Sequence, residues 1–222
     1  MPVPRSTSRP ARDPEPRWQS LIALVAVGGL YVALPAGLTV GPRWLLPLLL
    51  GVLVVPLLIS HRAGAHRLDV ALGVVVTTVV TAAMFASLGL LIAALPSHKE
   101  SPTALLVSAA SLWVTNILIF ALWYWRFDAG GPHRRDARDD HTSGSFLFPQ
   151  MTVPPGVRGA ASQRPWAPHF IDYLFLAFNT STAFSPTDTP VLARWAKVMT
   201  MLQSLISLTV LAILAARAVN ML

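Results

Sequence analysis

The 222-residue chain is 54% hydrophobic and 12% charged, with a formal net charge of +7 and a mean hydropathy of +0.56. That composition excludes an ordinary soluble globular domain, and the lack of cysteine excludes disulfides, thiolate metal ligands and thiol chemistry. The basic excess is no sign of nucleic-acid binding, because no basic face interleaved with aromatic residues accompanies it.

Residues 1–20 hold four arginines, several prolines and no apolar periodicity, so a disordered basic arm is expected there. Four uncharged stretches follow: Leu21–Val40, Trp44–Ser60, Val70–Pro96 and Pro102–Trp125. Each can cross a hydrocarbon core of roughly 30 Å, the second only just. Pro47 and Pro56 predict a kink or tilt in that second span. The first run follows the arm, lacks a small-x-small cleavage site and feeds into further spans; a retained anchor is expected rather than a signal peptide. Residues 21–126 thus read as four transmembrane helices.

The first turn contains Gly41-Pro42, and the second runs from His61 to Asp69. His61, His66 and Asp69 fall short of a metal site, since a short basic turn offers no fourth ligand; neither metal nor cofactor is expected. Trp123-Tyr124-Trp125-Arg126 reads as an interfacial aromatic belt closed by a snorkelling cation. Of the 17 Lys and Arg, twelve lie in the arm, the Arg62/Arg67 turn and residues 126–165, against Arg43 and Lys99 in the opposite loops. The positive-inside rule then places the amino terminus and the 127–165 loop in the cytoplasm. Within that loop, the apolar run from Phe146 to Met151 is expected to dock on the bundle or the interface.

The region 166–190 is the most informative. A short apolar segment, His169–Phe178, precedes a polar stretch from Asn179 to Asp188, and a helix-compatible run, 191–222, follows. Asn179, Thr180, Ser181, Thr182, Ser185 and Thr187 offer clustered oxygens, and Asp188 in an oligomer would form a carboxylate ring that attracts cations. A competing reading makes Thr189 an N-cap and Pro190 the first helical residue, with Asp188 near the positive helix end. Polar stripes accompany the break: Ser108, Ser111, Thr115 and Asn116 in the fourth span, and Thr200, Gln203, Ser204 and Ser207 in the last. They read either as helix–helix adhesive or as a water-lined path. Arg217 is expected to snorkel outward.

Across about residues 102–222, the order of outer span, loop, Asp172–Phe178, hydroxyl-rich turn and inner span resembles the pore module of tetrameric cation channels. Against that family's Thr-x-Gly-Tyr-Gly-Asp filter, this chain has Thr182-Ala-Phe-Ser-Pro-Thr-Asp188, in which Thr182 and Asp188 match. The chain has no glycine after Gly159, so a carbonyl-lined potassium filter is not expected. The blocks Phe120–Pro132, Phe146–Met151, Phe178–Asp188 and Arg194–Asn220 resemble an uncharacterised family of bacterial multipass membrane proteins. That second resemblance implies the bacterial inner membrane and a multipass architecture.

The expectation is an all-α polytopic membrane helix bundle: five transmembrane helices plus a re-entrant half-helix hairpin before the last helix. The function expected is non-enzymatic, a homo-oligomeric, ion-channel-like pore in the lipid bilayer. Asn179, Thr180, Ser181, Thr182, Ser185, Thr187, Asp188, Gln203 and Ser207 would line the path of a monovalent cation. The alternative is a non-conducting scaffold that docks a cytoplasmic partner through residues 146–151.

Overall fold

A computed structural model describes residues 15–96, 101–138, 141, 143–153, 166–183 and 188–219. The expectations for residues 1–14, 154–165, Ser185 and Thr187 lie outside it. The described residues are helical, apart from loops and one isolated antiparallel bridge between Phe146 and Val191.

Helix α1 (Trp18–Ala33) ends two residues before Pro35, and a single 3-10 turn at Ala36–Leu38 leads toward α2 (Leu45–Arg62). Gly64, at φ +69°, turns the chain from α2 into α3 (His66–Ala94). Helix α4 (Pro102–Phe127) has a built start: the Ser101 hydroxyl accepts the Ala104 N–H at 3.1 Å, and Pro102 occupies the first turn. Ser satisfies one orphan donor, and Pro has no N–H to strand there. Short helices α5 (Pro132–Asp136) and α6 (Pro149–Thr152) follow, then α7 (Phe170–Ala183) and α8 (Arg194–Val219).

Four helices, α2, α3, α4 and α8, are long and apolar enough to cross a membrane, while the apolar α1 is shorter at 16 residues. Val25, Val52, Ile59, Val107 and Leu205 all point outward with more than half their surface exposed. An apolar exterior of that extent suits lipid and not water. Helix α4 is the hub. Its most apolar window is 67% buried, against 17% in α2, 39% in α3 and 33% in α8, and it touches α1, α3, α7 and α8.

Several expectations change at the edges. The arm is not free to residue 20, because Glu15 is buried and α1 begins at Trp18. The belt reading fails for Tyr124 and Trp125, which are buried and face inward; only Trp123 behaves otherwise, half-buried and hydrogen-bonded to Thr81. Helix α8 starts at Arg194, not at residue 191, since Val191 and Leu192 are held extended against Ser145–Leu147. The Thr189-Pro190 capping reading therefore does not hold. Arg217 reaches the carbonyl of Leu95 past the end of α3, at 2.7 Å, where a cation meets the negative end of a helix.

The reversal after α4 is made by Ala129, Gly130 and Gly131, all at positive φ (51°, 86° and 91°). A Cβ on Gly131 would stand 2.8 Å from the Arg126 carbonyl oxygen. Gly131→Ala therefore combines left-handed strain with a backbone collision, and we predict a loss of roughly 1–3 kcal/mol. Thermal unfolding of the detergent-purified protein checks this, with Gly51→Ala as a control, since a Cβ there meets open space.

Candidate functional site

Helix α7 lies alongside α4 and runs antiparallel to it. The Phe170 ring packs on Trp125 at 6.0 Å and the Phe178 ring on Trp113 at 6.2 Å. The interval from Trp113 to Trp125 corresponds to about 18 Å of helix. At its start, the His169 N–H donates to the Asp172 carboxylate at 2.7 Å, a local cap for the first turn. Asp188 and Thr189 nevertheless border the same shallow cavity as Phe148, Asp172 and Phe175. The chain is then stitched down by Leu147 N–H to Pro190 O (2.9 Å) and Leu192 N–H to Ser145 O (2.8 Å). Both limbs of the 166–193 segment thus have their outer ends where α4 finishes.

The expected polar break is shorter than its composition implies. Asn179, Thr180, Ser181 and Thr182 continue α7, which ends at Ala183. The reason is local: the Thr180 hydroxyl donates to Leu176 O (2.9 Å) and the Thr182 hydroxyl to Phe178 O (3.1 Å). Hydroxyl groups that donate to the preceding turn no longer compete with the helix. The described backbone after Phe178 is therefore helical as far as Ala183, and Asp188 and Thr189 lie outside any helix.

The polar side chains meet at Gln203 of α8. Its Nε2 donates to Ala177 O (2.7 Å) and to Ser181 Oγ (2.8 Å), while its Oε1 accepts the Tyr124 hydroxyl (2.6 Å). One turn along, Asn116 Nδ2 donates to Ser207 Oγ at 2.8 Å and to the Gln203 carbonyl at 3.3 Å. Thr180, Ser181, Asn116, Gln203 and Ser207 are all fully buried. Asn116 Oδ1 is a buried acceptor with no partner among the described residues.

The network joins α4, α7 and α8. Six of the nine residues singled out from sequence fall in or beside it (Asn179, Thr180, Ser181, Thr182, Gln203 and Ser207), with Asn179 half-buried and Thr182 exposed. Asp188 is exposed at the outer end. Ser108, Ser111 and Thr115 donate within α4, to Ala104, Val107 and Ser111 carbonyls, and Thr200 donates to Lys197. Within a single chain these four hydroxyls are therefore bonded to their own helices. Sequence reasoning missed Tyr124, whose aromatic neighbours disguised it as an interfacial residue.

A second buried cluster anchors the start of α7. The Tyr173 hydroxyl donates to Asp128 Oδ2 at 2.7 Å, and the Ser145 N–H donates to Asp128 Oδ1. Arg135 donates to Glu15 (2.9 Å), to the Trp125 carbonyl (2.7 Å) and to the Asp128 carbonyl (3.0 Å); Trp125 Nε1 donates to Glu15 as well. Burial works against the Arg135 charge, yet the negative groups around it, Glu15 and Asp128 among them, outweigh that and its pKa lies above the ordinary guanidinium value. Phe146 and Phe148 close over the cluster, both buried; Pro149 and Gln150 are the exposed part of that segment.

Hydrogen bonds between membrane helices are worth about 0.6 kcal/mol on average and about 1.7 at most. We predict that Tyr124→Phe and Gln203→Met each lower stability by about 1 kcal/mol. Their double variant should lose less than the sum, with a coupling of about 0.6 kcal/mol. A double-mutant cycle in detergent measures it; strict additivity would place the two groups out of contact.

Comparison with known proteins finds no matching family model, no matching curated protein and no matching solved structure.

Proposed function

We propose that this membrane protein has five crossing helices with a re-entrant hairpin at 166–193, and that copies of it assemble into a cation-conducting pore. The observation that carries the reading is α7 itself. It runs inward beside α4 as far as Trp113, while the chain at Val191 is back beside Phe146. Irregular backbone at membrane depth persists only where protein buries it or water reaches it. A half-helix that stops inside the bundle directs its last carbonyls and the negative end of its dipole inward, and transporters and channels use such ends to hold cations.

Thr182, exposed near the inner end of α7, would supply a hydroxyl oxygen there. Asp188 would add one carboxylate per subunit at the mouth. Gln203 and Ser207 would brace the hairpin instead of lining the path, because their polar atoms are already taken up. Ile171, Phe175 and Phe178 form an exposed stripe on α7, 56%, 56% and 46% accessible, that a neighbouring subunit would cover. The amino terminus would be cytoplasmic, in line with the charge asymmetry.

Proteoliposome flux tests the reading. The wild type should pass monovalent cations, and both Thr182→Ala and Asp188→Asn should reduce flux to the level of protein-free vesicles while remaining monodisperse. Flux unchanged in both variants would exclude the role. Topology is checked separately in this cysteine-free chain: Cys at 150 and at 188 should react with an impermeant thiol reagent from one side, and Cys at 219 from the other.

A further inference from the structure

Two cavities adjoin at the edge of the bundle. The first lies where α1 begins and α2 and α4 finish, and Arg17, His61, Asp69, Arg126 and His133 line its polar side. The second is an apolar groove of about 560 Å³ between α1 and α2. Leu21, Leu24 and Leu58 border both. From there the groove passes Gly28 and Gly29 and reaches Val32 and Pro47. Leu21 to Val32 spans about 16 Å of helix, the depth of one leaflet in a hydrocarbon core roughly 30 Å thick.

The polar end holds one uncommitted cation. Arg17 is occupied: its Nη1 donates to Asp69 at 2.6 Å, its Nη2 is 2.9 Å from His133 Nδ1, and Asp136 Oδ2 lies 3.7 Å from Nη2. His133 Nε2 is hydrogen-bonded to Asp69 as well. Arg126 is the contrast. Its Nε is buried with no hydrogen-bond partner among the described residues. Asp69, the one carboxylate lining the cavity, is already shared by Arg17 and His133. The Arg126 guanidinium is nonetheless given room, because a Cβ at Gly73 of α3 would collide with its Nη1. A guanidinium is a planar fork of N–H donors that matches a phosphate.

The apolar end is kept open. Gly29 and Gly51 both line the groove, and a Cβ at either meets no atom within 4 Å. Neither close packing nor positive φ requires these glycines, although glycine inside a helix costs about 1 kcal/mol against alanine. What they leave is free width between α1 and α2. We propose that the groove and the Arg126 cavity bind one glycerophospholipid with a net-negative headgroup, its phosphate on Arg126 and one acyl chain between α1 and α2. Exposed Trp18, at the start of α1, marks the interfacial level of that headgroup. No residue of α7 or α8 lines either cavity, so the site is independent of the pore reading.

The competing description is a groove filled by whichever lipid is abundant. The full chain in detergent, stripped of lipid, is offered equimolar phosphatidylglycerol and phosphatidylcholine with the same acyl chains, and native mass spectrometry reads what it retains. Expected is one retained phosphatidylglycerol, preferred by about fivefold, the contribution of one basic residue at an anionic surface. Arg126→Gln should abolish the preference. Arg43→Gln, the same charge change on an exposed residue before the opposite end of α2, should keep it. The double variant Gly29→Leu/Gly51→Leu, which fills the groove and leaves Arg126 intact, should retain neither lipid. The proposal is overturned if the wild type holds both lipids equally, if Arg126→Gln and Arg43→Gln behave alike, or if the filled groove still retains phosphatidylglycerol. Displacement of the lipid by excess inorganic phosphate at constant ionic strength would make this a free-anion site and overturn it too.

Discussion

The Arg135 guanidinium, nearly inaccessible and held between Glu15 and the end of α4, is the constraint on which the rest of one end of the bundle depends. Two carboxylates and a guanidinium have been taken out of water there, which costs several kcal/mol per ion before any attraction is counted. Such a cluster contributes little net stability and a great deal of geometry, because removing any one member leaves a buried charge uncompensated. Glu15 holds the segment leading into α1. Asp128 holds Ser145, and through it the extended stretch that pairs with Leu192. Tyr173, bonded to the same Asp128, sets where α7 begins.

Once its start is set, α7 needs a reason to remain against the bundle. In lipid the hydrophobic effect gives none between helices, since acyl chains are as apolar as leucine. Close packing and hydrogen bonds must do it, and Gln203 supplies both limbs: an amide donor for Ala177 and Ser181, and a carbonyl for Tyr124. Helix α4 lies at the centre because it meets every one of these partners. Its polar residues occupy two depths, with Tyr124 near one end and Asn116 two turns farther in. The stripe that looked like a possible aqueous path is, in one chain, a seam of hydrogen-bonded or back-bonded groups, with Asn116 Oδ1 the one buried acceptor in it left without a partner among the described residues.

Helix α5 deserves mention for its economy of position. In five residues it contributes Arg135 to the buried carboxylate cluster and His133 to the Asp69 carboxylate. Asp136, on the same helix, accepts the Glu15 N–H at 3.0 Å. The glycine-rich reversal at 129–131 makes this possible, because only a sharp left-handed bend returns α5 under the end of α4. Charge chemistry at this end is therefore built by chain topology, from residues far apart in sequence.

Much of this was legible without coordinates. The apolar spans, the turn between His61 and Asp69 and the docking tendency of Phe146 follow from local chemistry: span length against bilayer thickness, a charged break between apolar runs, and the cost of exposing aromatic rings. Local chemistry also misled. Thr and Ser after Phe178 suggested broken backbone, but a hydroxyl that donates to its own preceding turn is compatible with helix; Thr189-Pro190 suggested a cap, but strand-like pairing with Ser145–Leu147 prevailed. The pairs Tyr124–Gln203, Glu15–Arg135, Asp128–Tyr173 and His133–Asp69 join residues from 45 to 120 positions apart, and no periodicity or spacing encodes such pairings. The sequence alone therefore determined that this chain is a helical membrane protein and roughly where its long apolar helices lie; which buried charges, amides and imidazoles meet was decided only when the helices packed, because those contacts join faces that local sequence cannot align.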